Sequence, residues 1–137
     1  MDLKQIASFV KLEHTLFSLP FVFIGAFLAH DSGYGVSLQD LFWILIAAVG
    51  ARGLAMTLNR IIDRKVDSEN PRTAQRHLAS GSMSMNTAVS LGIVFTIMLI
   101  LGAWMLNEIA LYMSWLPVLT FVVYPYLKRF TWLCHFW

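Results

Sequence analysis

Charge is scarce in this sequence: Asp, Glu, Lys and Arg make up 13% of its 137 residues, about half the share usual in a water-soluble domain. There is one cysteine, Cys134. It excludes an intrachain disulfide, a Cys-x-x-Cys redox pair and a thiolate metal cluster, and it reads as a small apolar residue of a span. The formal net charge of +2 comes with no basic arm or patch outside the loops that flank apolar runs, so a nucleic-acid surface is not expected. No small-residue cleavage site follows the first apolar run, so the first span is expected to stay as an anchor. Low-complexity tracts and short-period repeats are missing as well.

What fills the chain is apolar surface. Hydrophobic residues are 58% of it, the mean hydropathy is +0.64, and the apolar residues fall in long runs. Long runs of this kind read as membrane spans, so the expected fold is all-α, a transmembrane helical bundle forming one membrane domain over 1–137. Residues Asp2 to Glu13 read as an amphipathic helix at the interface, with Leu3, Ile6, Phe9 and Val10 on one face. Span one, about Thr15 to Ala29, is short for a bilayer of ~30 Å and is expected to continue that helix. Pro20 is a candidate kink, and Asp31 to Gly35 reads as a polar turn. Span two runs from about Leu38 to Leu58 and on into a charged motif. Span three, about Met85 to Leu106, has Ser84 as its expected N-cap. After a turn at Asn107-Glu108, span four covers about Ile109 to Leu127, kinked near Pro117 or Pro125.

Charge placement then gives a topology. Lys4 and Lys11 precede span one. Arg60, Arg64, Lys65, Arg72 and Arg76 lie between spans two and three, and Lys128 and Arg129 follow span four. The other two turns hold Asp31, Asp40 and Glu108 and no cation. The positive-inside rule therefore puts both termini and the 60–84 loop in the cytoplasm, in a multi-pass protein of the cell's inner membrane.

The chemistry concentrates in Asn59-Arg-Ile-Ile-Asp63-Arg-Lys-Val-Asp67. Spacing of i, i+4, i+8 on a helix drifts by only ~40° per step, so the three oxygen-bearing side chains form one strip ~12 Å long. Such oxygens are hard ligands. Mg²⁺ takes them, keeps several waters and completes its shell with substrate phosphates. A Mg²⁺-diphosphate is one reading of the strip; a merely polar helix end, paired with Arg60 and Arg64, is the other. Arg52 lies two turns deeper on nearly the same face. An arginine within a span costs at least ~2.5 kcal/mol on insertion scales, so it should face the bundle interior. It either recognises an anionic substrate group, for which a guanidinium fork suits a carboxylate, or pairs with Glu13 or another buried group. Arg72, Arg76 and Lys128, the last beside Tyr124, are cations that could meet phosphate oxygens; topology alone also demands cations there. His14, His30, His77 and His135 share no ligand spacing and read as interfacial. The seven methionines read as filler.

These segments, with Lys11-Leu-Glu-His-Thr-Leu-Phe-Ser-Leu-Pro20, Asn70-Pro-Arg72-Thr73-Ala-Gln-Arg76 and Tyr124-Pro-Tyr-Leu-Lys128-Arg-Phe-Thr131-Trp-Leu-Cys-His135, closely resemble the UbiA superfamily of intramembrane prenyltransferases. The branch most similar is that of the 4-hydroxybenzoate polyprenyltransferases and the related enzymes of menaquinone synthesis. The family's first Asp-rich signature often has Asp after its Asn; here that place holds Arg60. The resemblance implies a Mg²⁺-dependent transferase that moves a polyprenyl group from its diphosphate onto an aromatic acid, in ubiquinone or menaquinone biosynthesis. Asn59, Asp63 and Asp67 would match the Mg²⁺-diphosphate motif, and Arg72 and Lys128 its diphosphate-binding cations, with Arg76 and Tyr124 near them. Arg52 would match the arginine that meets the aromatic acid. Asp63, Asp67 and Lys128 would carry the departure of diphosphate, after which the ring carbon ortho to the hydroxyl attacks the allylic cation. The prenyl tail would lie in a groove open to lipid.

Family members have about nine spans and a second Asp-rich motif, whereas this chain has about four spans and one motif. The expectation is a truncated product, the N-terminal half of the bundle, with little or no transferase activity alone and a missing C-terminal half as partner. The competing expectation is a non-catalytic half-length membrane protein that binds a partner or a lipid diphosphate. A CDP-alcohol phosphotransferase is disfavoured by the absence of a D-x-x-D-G pattern. Haem O and chlorophyll synthases share the fold, but the segment after Tyr124 is more similar to the quinone branch.

Overall fold

In the computed structural model, which describes residues 3–131, the apolar runs become four helical segments long enough to cross a bilayer: Leu12–Tyr34, Leu38–Ile62, Met85–Leu106 and Glu108–Phe130. No strand occurs among the described residues. Helix α1 spans Leu3–Val10, α2 Leu12–Ala29, α3 Leu38–Ile62, α4 Arg64–Glu69, α5 Met85–Leu106, α6 Glu108–Met113 and α7 Trp115–Phe130. Cys134 and His135 lie outside the described residues, as do Met1 and Asp2.

Local chemistry sets most of the ends. Ser37 and Asp40 close a capping box on α3, each side chain bonding the other's backbone N–H. The Ser84 hydroxyl accepts from the Thr87 N–H at 3.1 Å, as the sequence predicts, and the Asn107 side chain accepts from Ala110 N–H at 2.7 Å. These bonds satisfy donors that a helix start leaves open. The polar turn is a single π-type turn over His30–Tyr34, kinked inside by Gly33 at φ +92° and followed by Gly35 at φ +60°. Of the three prolines inside the spans, Pro117 sits nearest a break. Its ring lacks an N–H and crowds the carbonyl four residues back, Met113, and the helix is interrupted at Ser114, between α6 and α7. Helices α2 and α7 run through Pro20 and Pro125 without interruption.

Two expectations need correction. Span one does not continue the N-terminal helix: Lys11 separates α1 from α2 with a left-handed φ of +50°. Nor does the far end of α1's apolar face lie on lipid. Phe9 is fully buried and Val10 nearly so, within a cluster that includes Leu54, Leu78, Met83 and Phe95. His77 stands edge-on to the Phe9 ring at 6.1 Å, an inward neighbour as well as a loop residue.

Helices α3 and α5 form the centre. A Cβ on Gly50 would come within 2.6 Å of the Leu99 backbone, and one on Gly102 within 2.8 Å of Ala47 N. Position 47 thus faces 102, 50 faces 99, and Thr57 faces Gly92, so the pair is antiparallel and close-packed through small residues, as membrane helices commonly are. Val118 and Phe121 of α7 pack on the same cluster, and the last turn of α7 reaches the last turn of α3. The motif, the 70–84 loop and the end of α7 therefore meet at one end of the bundle.

Candidate functional site

The strip of three oxygen donors survives a break in its helix. Asp63 leaves helical geometry at φ −89°, ψ 1° and ends α3. Yet Asp63 N–H still donates to Asn59 O at 3.0 Å, and Asp67 N–H to Asp63 O at 2.7 Å, so the i, i+4, i+8 relation holds across the joint. Asp63 and Asp67 are buried and Asn59 is half-buried.

Cations hold these oxygens, and they come from afar in sequence. Lys128 Nζ donates to Asn59 Oδ1 at 2.9 Å and to Asp63 Oδ2. Arg129 donates to Asp63 Oδ1 at 3.0 Å and to the Ile62 carbonyl at 3.1 Å. Arg76 Nη1 bonds both Asp67 oxygens at 2.9 Å. The loop that delivers Arg76 is set locally: Asn70 Oδ1 accepts from Arg72 N–H at 3.0 Å, its carbonyl accepts from Thr73 and Ala74, and the Thr73 hydroxyl donates to Asp67 O at 3.1 Å. The pairing of the acids with Arg60 and Arg64 is not what forms. Arg64 Nε donates to Leu78 O at 3.3 Å, and Arg60 lies 5.3 Å over the Phe9 ring.

The acids line the base of a cleft of about 900 Å³. Of the residues singled out from sequence, Asp63, Asp67, Arg72, Arg76, Tyr124 and Lys128 all line it. Asn59 joins through Lys128 without lining it. Arg52 is not brought to the cleft: it is half-buried in α3 and its Nε is buried without a hydrogen-bond partner. The pairing with Glu13 does not form; among the described residues Arg52 makes no ion pair. Arg129 was read from sequence only as a topology signal. Its one available clue was adjacency to Lys128.

The donor set suits Mg²⁺. Two carboxylates and an amide are hard oxygens. Among the described residues, though, no three acids, histidines or cysteines converge on one point. A cation held here would thus take only part of its shell from the chain and the rest from phosphate or water. Four cations stand around the acids: Arg76, Lys128 and Arg129 can each trade a carboxylate contact for a phosphate one, and Arg72 has, among the described residues, no carboxylate contact to give up. Charged side chains of both signs thus stand together around one cleft where spans end.

Comparison with known proteins identifies the family of membrane proteins to which this bundle belongs. The model of the UbiA prenyltransferase family matches residues 18–137. The chain belongs to that family. It is similar to the 4-hydroxybenzoate octaprenyltransferase of Shewanella woodyi, 34% identical over 69% of this chain and 33% of the relative. It is 31% identical to the enzyme of the same name from Aliivibrio fischeri, over 97% of this chain and 44% of the relative. The apo structure of a UbiA homolog from Aeropyrum pernix superposes with a TM-score of 0.82 at 38% identity, covering 90% of this chain and 44% of that one. The chain thus spans between a third and under half the length of these relatives.

Proposed function

We propose that the cleft binds the diphosphate of a polyprenyl donor, for transfer of the prenyl group to an aromatic acid such as 4-hydroxybenzoate in quinone biosynthesis. One observation carries this reading: two buried acids and four cations, Arg72, Arg76, Lys128 and Arg129, stand together around one cleft at the end of the spans. The names of the relatives support the choice of substrates. In the reaction the allylic C–O bond breaks and the electron pair leaves with the diphosphate. A ring carbon then bonds the allylic carbon, and the ring loses its proton. The four cations would donate to the diphosphate oxygens as their charge grows. Asn59, Asp63 and Asp67 would hold Mg²⁺, which when bound supplies further neutralisation of the leaving group. Arg52, deeper in α3, would face the carboxylate of the acceptor. The prenyl chain would lie along apolar helix surface, in an inner-membrane protein whose N-terminus and 60–84 loop are cytoplasmic.

Binding tests this more directly than turnover. The purified chain in nanodiscs should retain labelled farnesyl diphosphate in a Mg²⁺-dependent way, and inorganic diphosphate should compete. Asp63→Asn and Lys128→Ala should each weaken retention about tenfold or more, the loss of one charge-assisted contact or its metal. Unchanged retention by Asp63→Asn would overturn the role given to that acid.

A further inference from the structure

We propose a second anion site, for a phosphate group, beside the acid-lined cleft, with which it shares Arg72, Thr73 and Arg76. A separate cavity of about 360 Å³ lies there, and Ser8, Lys11, Arg60, Arg72, Gln75 and His77 are among its lining residues. No acid lines it. The central residue is Arg60. It is 6% exposed, and among the described residues its buried Nε has no hydrogen-bond partner and its guanidinium makes no ion pair. The ring of Phe9, 5.3 Å away, offers the charge a π face. That is a weak substitute for an anion in direct contact; Asp67 acts on the charge only at longer range, being ion-paired to Arg76, and a buried charge without a direct partner is costly.

The surroundings supply what a phosphate needs. Lys11 and Arg72 are exposed cations at the cavity, and neither makes an ion pair among the described residues. Arg76, also at its wall, is committed to Asp67 in the cleft. Ser8 and Gln75 add neutral donors. The left-handed backbone at Lys11, φ +50°, turns the chain between α1 and α2 at a residue that lines the cavity. A guanidinium flanked by two free cations fits a phosphate, whether free or the headgroup of an anionic lipid.

The test is a thermal melt of the purified chain, read in two arms. One arm uses phosphatidylcholine nanodiscs titrated with inorganic phosphate against chloride at equal ionic strength. The other replaces part of the lipid with phosphatidylglycerol. Stabilisation in the first arm identifies a free phosphate, and stabilisation in the second alone identifies a headgroup. In either case Arg60→Met and Lys11→Gln should each raise the half-saturating concentration about tenfold. Arg129→Gln, which alters only the acid-lined cleft, should leave the response intact. Farnesyl diphosphate retention by Lys11→Gln should equal that of the parent, so failure here is separable from failure of the proposed function. Lys11 is exposed, so its variant keeps the test open should Arg60→Met not fold. No stabilisation in either arm overturns the proposal. So does a response equal in parent and Lys11→Gln, or one lost only in Arg129→Gln.

Discussion

Asp63 stands between two cations contributed by another helix, its side chain 2% exposed while Lys128 and Arg129 are about one-third exposed. Removing its charge leaves both cations facing a neutral amide in a half-buried setting. Asp67 is in direct contact with one cation, Arg76, with Arg60 acting on it at longer range. Asp63→Asn should therefore destabilise the fold by roughly 1–3 kcal/mol, and Asp67→Asn by less. Denaturant unfolding in mild detergent measures both, and the reverse order would contradict the two-cation description. The acids themselves were legible in the sequence because i, i+4, i+8 is a helical spacing. Their partners were not. A Lys-Arg pair after a span is what membrane topology demands in any case, and nothing local says that Arg129 reaches back 66 residues to Asp63. Arg52 shows the opposite failure. Its place within a span marked it as inward-facing, yet the partner suggested for it, Glu13, lies exposed in the first turn of α2.

Among the helices, the informative residues are small ones. Gly50 and Gly102 let α3 and α5 approach until a methyl group would collide with backbone atoms at 2.6 and 2.8 Å. Gly50→Ala or Gly102→Ala must push the helices apart, at about 1–3 kcal/mol each. Gly25→Ala is the control. Nothing lies within 4 Å of its added Cβ, so it should be neutral or raise stability by about 0.5–1 kcal/mol through helix propensity. Thermal unfolding of the three variants side by side would show whether α3–α5 packing holds the bundle. The span positions were readable from hydropathy and the cap at Ser84 from side-chain chemistry, whereas Asn107 reads only as a turn. The break at Lys11 was not, because lysine has no preference for a left-handed backbone. It follows from burying Phe9 and Val10 against residues far along the chain, Leu54 and Leu78 among them, which a local reading cannot see.

For the molecule as a whole, nine of the ten Lys and Arg residues lie before span one, between spans two and three, or after span four, and the fold gathers them at one end. Lys128 and Arg129 touch the end of α3, and Phe9 of α1 touches Arg60 and His77. Asp31 and Glu108 sit at the far ends of α2 and α5. The sides between are apolar and outward-facing: Phe17 is 75% exposed, Phe27 69% and Ile109 74%, surface suited to lipid or to another apolar helix. With so lopsided a charge, the positive-inside rule predicts that this end faces the cytoplasm. Single-cysteine labelling can read it, since Cys134 is the one native thiol. In a Cys134→Ser background, Ser80→Cys and Glu108→Cys place thiols at exposed positions on opposite ends. A membrane-impermeant maleimide added to intact cells should modify Glu108→Cys and leave Ser80→Cys unmodified until the membrane is opened. The reverse pattern would put the acid-lined cleft on the outer face, away from a cytoplasmic supply of diphosphate substrate, and would count against both the topology and the proposed function.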